Sequence, residues 1–480
     1  MANIFQKISD CIASSGLTIV SNPDKFLLRD DVKEIMQAQC NVKIFSGSSL
    51  MLRFIYELTA KNDSQNSYCF IYTDRNTPLP DIICEARKVV FNISDLLPGY
   101  DKLALVNQPI EALELLAEIP YPRINLSYAE TMRYIDEQVS SYKNSPEYVL
   151  EKLNNTNLEW SNPNTICKLS ELFNIAVKNR FIDSIEEKFD EINESFQTFL
   201  SQNYFSNILT ASHYIKPSYV GKVLPYIKAN FSDSDRIAMI VVDGFAYWQF
   251  LALKESLSNQ GINTTDNVIF SWVPSITSLS RQSLMKGSFP DVDYRQSPQN
   301  EERLWRNFWV NNNINPLNIE YIYNEKDFTI PSNINRLAYV TNKIDDYLHN
   351  CSDYKSLMDL THNFICELVD VIKKIKDLGF TIFLTADHGS VRTQGWRRLT
   401  NQEKTYLYNS DSRGSRHLIY TEEIHKLNFL NENELLKDYI FEKGNWIVFK
   451  NRFCFKNFPS VEITHGGSHF MEVLIPFVKI

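Results

Sequence analysis

No two cysteines in this sequence stand at C-x-x-C spacing, and no apolar run approaches the length of a membrane span. Cys11, Cys40, Cys69, Cys84, Cys167, Cys351, Cys366 and Cys454 are scattered, and several sit in apolar runs such as Tyr68-Cys69-Phe70-Ile71. Buried thiols in a reducing compartment are therefore expected, not a disulfide framework. The N-terminus lacks a basic region followed by an apolar stretch, so no signal peptide is expected and a cytoplasmic location is. Excess basic charge is missing too. Lys and Arg total 49 against 58 Asp and Glu, a net charge of −9, which argues against a bulk nucleic-acid-binding surface but allows a local basic pocket. Internal repeats and low-complexity tracts are absent. What is present is 480 residues with 44% hydrophobic and 13% aromatic content, too long for one ordinary core. Two or three domains follow.

Apolar runs at Leu17–Val20, Val42–Phe45, Tyr68–Thr73 and Lys88–Phe91 alternate with helical patterns. Ser48-Ser49 reads as the cap of a helix carrying Leu50, Met51, Phe54, Ile55 and Leu58. This rhythm predicts a small parallel α/β domain over residues 1–125. Residues 126–230 change character: Ile182, Ile185, Phe189, Ile192 and Phe196 recur at helical spacing, which predicts a helical connector. The α/β pattern returns over 231–480 with Arg236–Val242, Leu337–Val340 and Phe380–Leu384 as strands buried on both faces. An amphipathic helix over Leu357–Lys376 lies between the last two. Val391–Ser460 is polar and irregular, with strand candidates at Trp446–Phe449 and Phe453–Phe455, and reads as an insertion capping a site.

Chemistry concentrates in this last region. Asp243 ends a buried strand and precedes Gly244, and Asp387 ends another and precedes His388 and Gly389. In an open parallel sheet ligands bind at the carboxyl ends of strands, and two carboxylates delivered there suit a divalent cation. A lone strand-end aspartate is more often a turn or cap residue. Asp345 and His349 stand four apart at a helix start and can face one metal, with Asp346 competing for the role of Asp345. His465 lies in Thr464-His465-Gly466-Gly467, where the glycines permit close approach, and His469 is its alternative. A hydroxyl nucleophile is available at Ser275, Thr277 or Ser278, beside a helix start that would also favour a phosphate. A capping role is the ordinary reading of each alone.

In the order Asp243-Gly244, Pro274-Ser275-Ile276-Thr277, Asp345-x-x-x-His349, Asp387-His388-Gly389 and His465-Gly466-Gly467, leading to Glu472–Pro476, residues 231–480 resemble the PglZ family of the alkaline phosphatase superfamily. The resemblance implies an alkaline-phosphatase-like core of mostly parallel sheet flanked by helices, preceded by the small α/β domain and the helical connector. It implies two divalent metals, zinc or alternatively manganese. Asp345, His349 and His465 would hold one, and Asp243, Asp387 and His388 the other, with Thr277 as nucleophile. A phosphoester or nucleotide-type substrate would be hydrolysed, with Arg281, Arg413 and Arg416 as candidate phosphate contacts. PglZ proteins of BREX phage-defence systems are similar also in their N-terminal region, which implies defence-system partners.

Two departures stand out. Ser468-His469-Phe470-Met471-Glu472 is bulkier than the family's usual run after the two glycines. The Thr277-x-x-x-Arg281 spacing is similar to that of sulfatases, but threonine cannot supply their formylglycine. Two other functions compete with hydrolysis, a scaffold of a defence complex with a structural or vestigial metal site and a metal-dependent phosphomutase. A receiver domain is not expected, because Asp74 is accompanied only by Asp24 and by no suitable lysine.

Overall fold

The structure, a computed structural model, describes residues 4–13, 16–73, 86–408 and 416–480. The chain forms two compact units, Met1–Ser145 and Pro146–Ile480. Helix Tyr128–Lys143 falls in the first unit, and the helices from Pro146 onward fall in the second, where the sequence suggested a separate helical connector over 126–230. The physical reason is aromatic packing. Phe173 of helix Pro163–Lys178 meets Trp248 at 5.5 Å and Tyr354 at 4.8 Å, so these helices share the core of the C-terminal half.

In the first unit the four apolar runs become β1 (Leu17–Ser21), β2 (Val42–Gly47), β3 (Ser67–Tyr72) and β4 (Arg87–Val90). They pair in parallel in the order β2-β3-β1-β4. Ser48 caps helix Ser49–Leu58 by accepting from the Met51 amide, but Leu52 and Tyr56 are the residues this helix buries. Leu50, Phe54 and Leu58 face solvent. Asp24 accepts from the amides of Phe26 and Ile93, a role in loop closure. Asp74 and Cys84 lie outside the described residues.

The second unit is built on a six-stranded sheet of order β6-β16-β9-β5-β8-β7. Its strands are β5 (Ile237–Val242), β6 (Thr265–Phe270), β7 (Ile319–Tyr323), β8 (Arg336–Thr341), β9 (Thr381–Ala386) and β16 (Leu474–Lys479). All pairings are parallel except the two made by β16. The sheet is thus mostly parallel and flanked by helices, as expected. β5 and β8 are buried along their whole lengths, which is why Ile237–Val242 and Leu337–Val340 are continuous apolar runs. β16 carries Pro476 between two neighbours. Its pairing with β9 starts only at Phe477, and the Pro476 carbonyl accepts from the Thr385 hydroxyl instead.

The insertion is ordered around its own small core, which includes Leu418, Phe429, Ile447 and Phe455. Its strands are β10 (Val391–Gly395), β11 (His417–Ile419), β12 (Ile440–Lys443), β13 (Trp446–Phe449), β14 (Phe453–Cys454) and β15 (Val461–Thr464). They form two three-stranded sheets, β14-β10-β15 and β11-β13-β12. At its base β10 and β15 run antiparallel, with Val391 opposite Thr464. Among the described residues no helix is long and apolar enough to cross a membrane.

Candidate metal centre

Three adjacent strands end together at one edge of the central sheet. Val242 of β5 is in register with Ala386 of β9 and Thr341 of β8. The next turns therefore bring Asp243, Asp387 and, from the helix Lys343–Leu348, Asp345 to the same edge. Gly244 takes φ +75°, and a Cβ there would meet Leu348 at 2.9 Å, so the sharp exit after Asp243 requires glycine. Gly389 has a separate reason: a Cβ would lie 2.1 Å from the Met471 carbonyl.

The two histidines arrive from opposite ends of the insertion. His388 precedes β10 and His465 follows β15, so the register at the insertion's base sets them side by side. Their rings stack with centroids 3.7 Å apart and planes 9° from parallel. His388 Nδ1 lies 2.9 Å from the Gly389 carbonyl, and His465 Nδ1 lies 2.9 Å from the Ser275 carbonyl. Each Nδ1 donates to its carbonyl, which leaves each Nε2 directed toward the carboxylates. His465 Nε2 is 3.6 Å from Asp345 Oδ1, and His388 Nε2 is 3.3 Å from Asp243 Oδ1 and 3.7 Å from Asp387 Oδ2. A histidine held at one nitrogen by a carbonyl is the usual arrangement of a metal ligand.

The carboxylates match this pattern. Asp387 Oδ1 accepts from the amides of Gly244 and His388, and Asp243 Oδ2 accepts from Arg281. Their other oxygens, Asp243 Oδ1 and Asp387 Oδ2, together with Asp345 Oδ1, are buried and have no hydrogen-bond partner. Unsatisfied buried oxygens are costly, and three at one place suit a bound cation. Asp345, His388 and His465 form one group of potential ligands, and Asp243, Asp387 and His388 a second. His349 stands at the rim, largely exposed, with Nε2 3.3 Å from Asp345 Oδ2. Asp346 is exposed and takes a hydrogen bond from Asn342.

Electrostatics follow from this crowding. Burial opposes the charge of Asp243, but the Arg281 guanidinium and His388 outweigh it and hold the carboxyl below the usual range. Burial, with the charge of Asp243 adding to it, pushes Asp387 up to about 8. Burial alone would lower His388, yet the charge of Asp387 and the contact with Asp243 raise it to about 10. Burial and the neighbouring His388 push His465 down to about 4.

Thr277 opens the helix Thr277–Lys286, whose N-cap residue Ile276 offers no capping side chain. Its Oγ1 is 3.0 Å from His388 Nε2. The Ser275 hydroxyl is occupied elsewhere, donating to the Gly467 carbonyl and accepting from the Gly466 amide, so it clamps the loop that carries His465. His469 is fully buried, with Nδ1 accepting from the Met471 amide, and does not enter either ligand group.

Arg281 and Arg416 are both committed to buried carboxylates. Arg281 is 2% exposed and bridges Asp243 and Glu301. Arg416 is fully buried and pairs with Glu472 through two hydrogen bonds of 2.8 and 2.9 Å, its remaining donors going to the carbonyls of Asn451 and Phe453. Arg413 lies outside the described residues. The bulky run after the two glycines turns into the core. Phe470 packs on Trp160, and Glu472 receives the amides of Gly467 and His469. Gln197 and Asn193 of helix Ile182–Asn203 bond to Ser468 and Phe470, so that helix steadies the same loop.

Four supporting residues escaped the sequence reading of the site: Glu301, Gln197, Asn193 and His417. Asn193 and Gln197 flank the apolar stripe of helix Ile182–Asn203, His417 opens the buried strand His417–Ile419 and Glu301 lies in a charged helix, and nothing in their spacing ties any of them to the distant site residues. His417 is buried beside Gly466 with neither ring nitrogen hydrogen-bonded, and burial with the nearby His465 lowers it to about 3.

Comparison with curated proteins finds no match. Among solved structures, the chain is similar to phosphonoacetate hydrolase from Sinorhizobium meliloti 1021 in complex with phosphonoformate, at 11% identity over 51% of this chain and 89% of that one, with a TM-score of 0.35. It is similar in the same measure to murine ectonucleotide pyrophosphatase/phosphodiesterase 5, at 11% identity over 51% of this chain and 88% of that one, with a TM-score of 0.35. Residues 222–480 match the BREX system PglZ alkaline phosphatase-like domain. That match spans more than half of the chain, which therefore belongs to the PglZ family.

Proposed function

We propose that this protein is a two-metal-dependent phosphoester hydrolase, a phosphodiesterase or phosphatase, with Thr277 as nucleophile. The observation that carries the proposal is the convergence of three unpartnered carboxylate oxygens and two histidine Nε2 atoms beside the Thr277 hydroxyl. Asp345, His349 and His465 would hold one cation, and Asp243, Asp387 and His388 the other. The oxygen and imidazole donors suit zinc, with manganese as the alternative. Bound there, the cations would supply Lewis acidity, lowering the pKa of a hydroxyl or water and neutralising phosphoryl oxygens.

The chain's own groups complete the reaction. The uncapped start of helix Thr277–Lys286 directs backbone amides and a helix dipole at an anionic phosphate. Thr277 Oγ attacks phosphorus; the Oγ–P bond forms, the ester P–O bond breaks, and the alcohol leaves with a proton. Water then attacks the phosphothreonine, its oxygen binding phosphorus as the bond to Oγ breaks, and Thr277 regains a proton. Ser275 and Glu472 hold the His465 loop in place throughout.

A place beside other proteins of a BREX system belongs to the same proposal, supported by the family's description, and a nucleotide-type substrate and a role in phage defence are proposed with it. The test is hydrolysis of paired aryl phosphate monoester and diester substrates, with and without chelator. Turnover lost on chelation and restored by zinc is the expected result. No turnover of either ester by the metal-loaded protein would sink the proposal and favour a scaffold role.

A further inference from the structure

Arg281 has the residue type and helix position of a phosphate contact, one turn after the nucleophile, yet its guanidinium is committed elsewhere. Nη1 donates to Asp243 Oδ2 at 2.7 Å and Nη2 to Glu301 Oε2 at 2.7 Å, while Nε approaches Glu301 Oε1 at 2.7 Å without hydrogen-bond alignment. Glu301, from helix Pro298–Asn311, is fully buried and is fixed by the Tyr321 hydroxyl at 2.6 Å and by Gln296. This places a cationic group against one metal-ligand carboxylate. Among the described residues no lysine or arginine pairs with Asp345 or Asp387.

The consequences are geometric and electrostatic. With Oδ2 held by Arg281, Asp243 has only Oδ1 to offer a cation, so it can bind through one oxygen and in one rotamer. A positive charge in direct contact with a ligand also lowers that ligand's attraction for a second positive charge. Glu301 stands behind Arg281 and moderates the effect. Arginine fits this role because its planar fork can hold two carboxylates at once. Burial opposes its charge, but Glu301, Asp243 and Asp387 together keep it protonated.

Resting on the two-metal reading above, we infer that Arg281, backed by Glu301, is a positioning residue that fixes Asp243 as a one-oxygen ligand and holds down cation affinity at the Asp243–Asp387–His388 position. Arg281 makes no ion pair with Asp345, the acid of the other position, whose ion-pair partners are His349 and His465. The pair thus sets the difference in affinity between the two positions and keeps the buried one exchangeable.

The test reads metal binding, not activity. Chelator-stripped full-length protein is titrated with Zn²⁺ against a chromogenic chelator. Asp387→Asn and His465→Ala assign the two binding steps by deleting one each. Replacing the pair together, as Arg281→Gln with Glu301→Gln, removes the nearer positive charge and should tighten the Asp387-dependent step by about tenfold or more. Glu301→Gln alone leaves Arg281 wholly to Asp243 and should weaken that step. The His465-dependent step should stay unchanged in both. Opposite shifts separate the proposal from misfolding, which would move both variants, and both steps, in one direction. Tightening in neither variant, or weakening in both, overturns the inference while leaving the hydrolase reading intact. No zinc uptake by the unsubstituted protein would overturn both.

Discussion

The hydroxyl of Thr277 and Nε2 of His388 stand 3.0 Å apart, although 111 residues separate them in the chain. The same Nε2 faces Asp243 and Asp387. A nitrogen shared in this way cannot bond to the hydroxyl and coordinate a cation at once, so metal loading should release Thr277 for reaction. Thr277→Ala is therefore expected to lower turnover by about a thousandfold or more while retaining both cations. Phosphoester kinetics and metal content measured on one preparation check it. Turnover retained by the alanine variant would remove Thr277 from its role.

Metal uptake should release protons and tighten as pH rises. In the protein groups alone Asp387 is raised to about 8 and His388 to about 10, so both hold protons at neutral pH. Coordination needs a carboxylate and a neutral imidazole, so each must lose its proton. Affinity at this position should thus climb from neutral pH through about 8 and go on rising toward about 10. Calorimetry in buffers of different ionisation heat measures the release. Zinc heats independent of buffer would contradict it.

Adjacent acids give a sharp contrast. Asp345 presents an unpartnered buried oxygen to His465, whereas Asp346 is exposed and bonded to Asn342. Asp345→Asn should cost one bound cation per chain, and Asp346→Asn should leave metal content unchanged. Elemental analysis after dialysis decides between them, and equal losses would mean that the helix start is misassigned.

Arg416 should behave as a structural residue. Its substitution by Met strands Glu472 in the core and should cost about 3–5 kcal/mol of stability. The Arg416→Met, Glu472→Gln double variant should recover part of that loss, because the remaining acid is no longer charged. Denaturant unfolding gives the comparison; an Arg416→Met variant with unchanged stability and a raised KM would restore the phosphate-contact role.

The strands that lead into the candidate site were legible in sequence because both of their faces are buried. Ile237–Val242 is a continuous apolar run, Thr381–Ala386 carries one in Ile382–Leu384, and each strand is followed at once by an aspartate. β16 was harder to see, since Pro476 breaks the strand pattern and is tolerated only where pairing with β9 has not begun. Spacing also says nothing about distant partners. Arg281 and Arg416 look alike in sequence to phosphate-binding arginines, but Glu301 and Glu472 claim them from 20 and 56 residues away. Helix Ser49–Leu58 shows the same limit: its apolar stripe was evident, but which side faces the sheet is decided by Leu52 and Tyr56.

The antiparallel base of the insertion, with Val391 opposite Thr464, has a bearing on how the chain acquires its chemistry. Asp243, Thr277, Asp345, His388 and His465 come from five separate stretches, and the last two meet only when that ribbon closes. No local fragment carries a complete donor set, so a cation bound at the candidate site would not nucleate folding as it does in small zinc modules. Loop closure across long separations must come first. A cation taken up at the candidate site would therefore certify that the whole C-terminal half has reached its native topology.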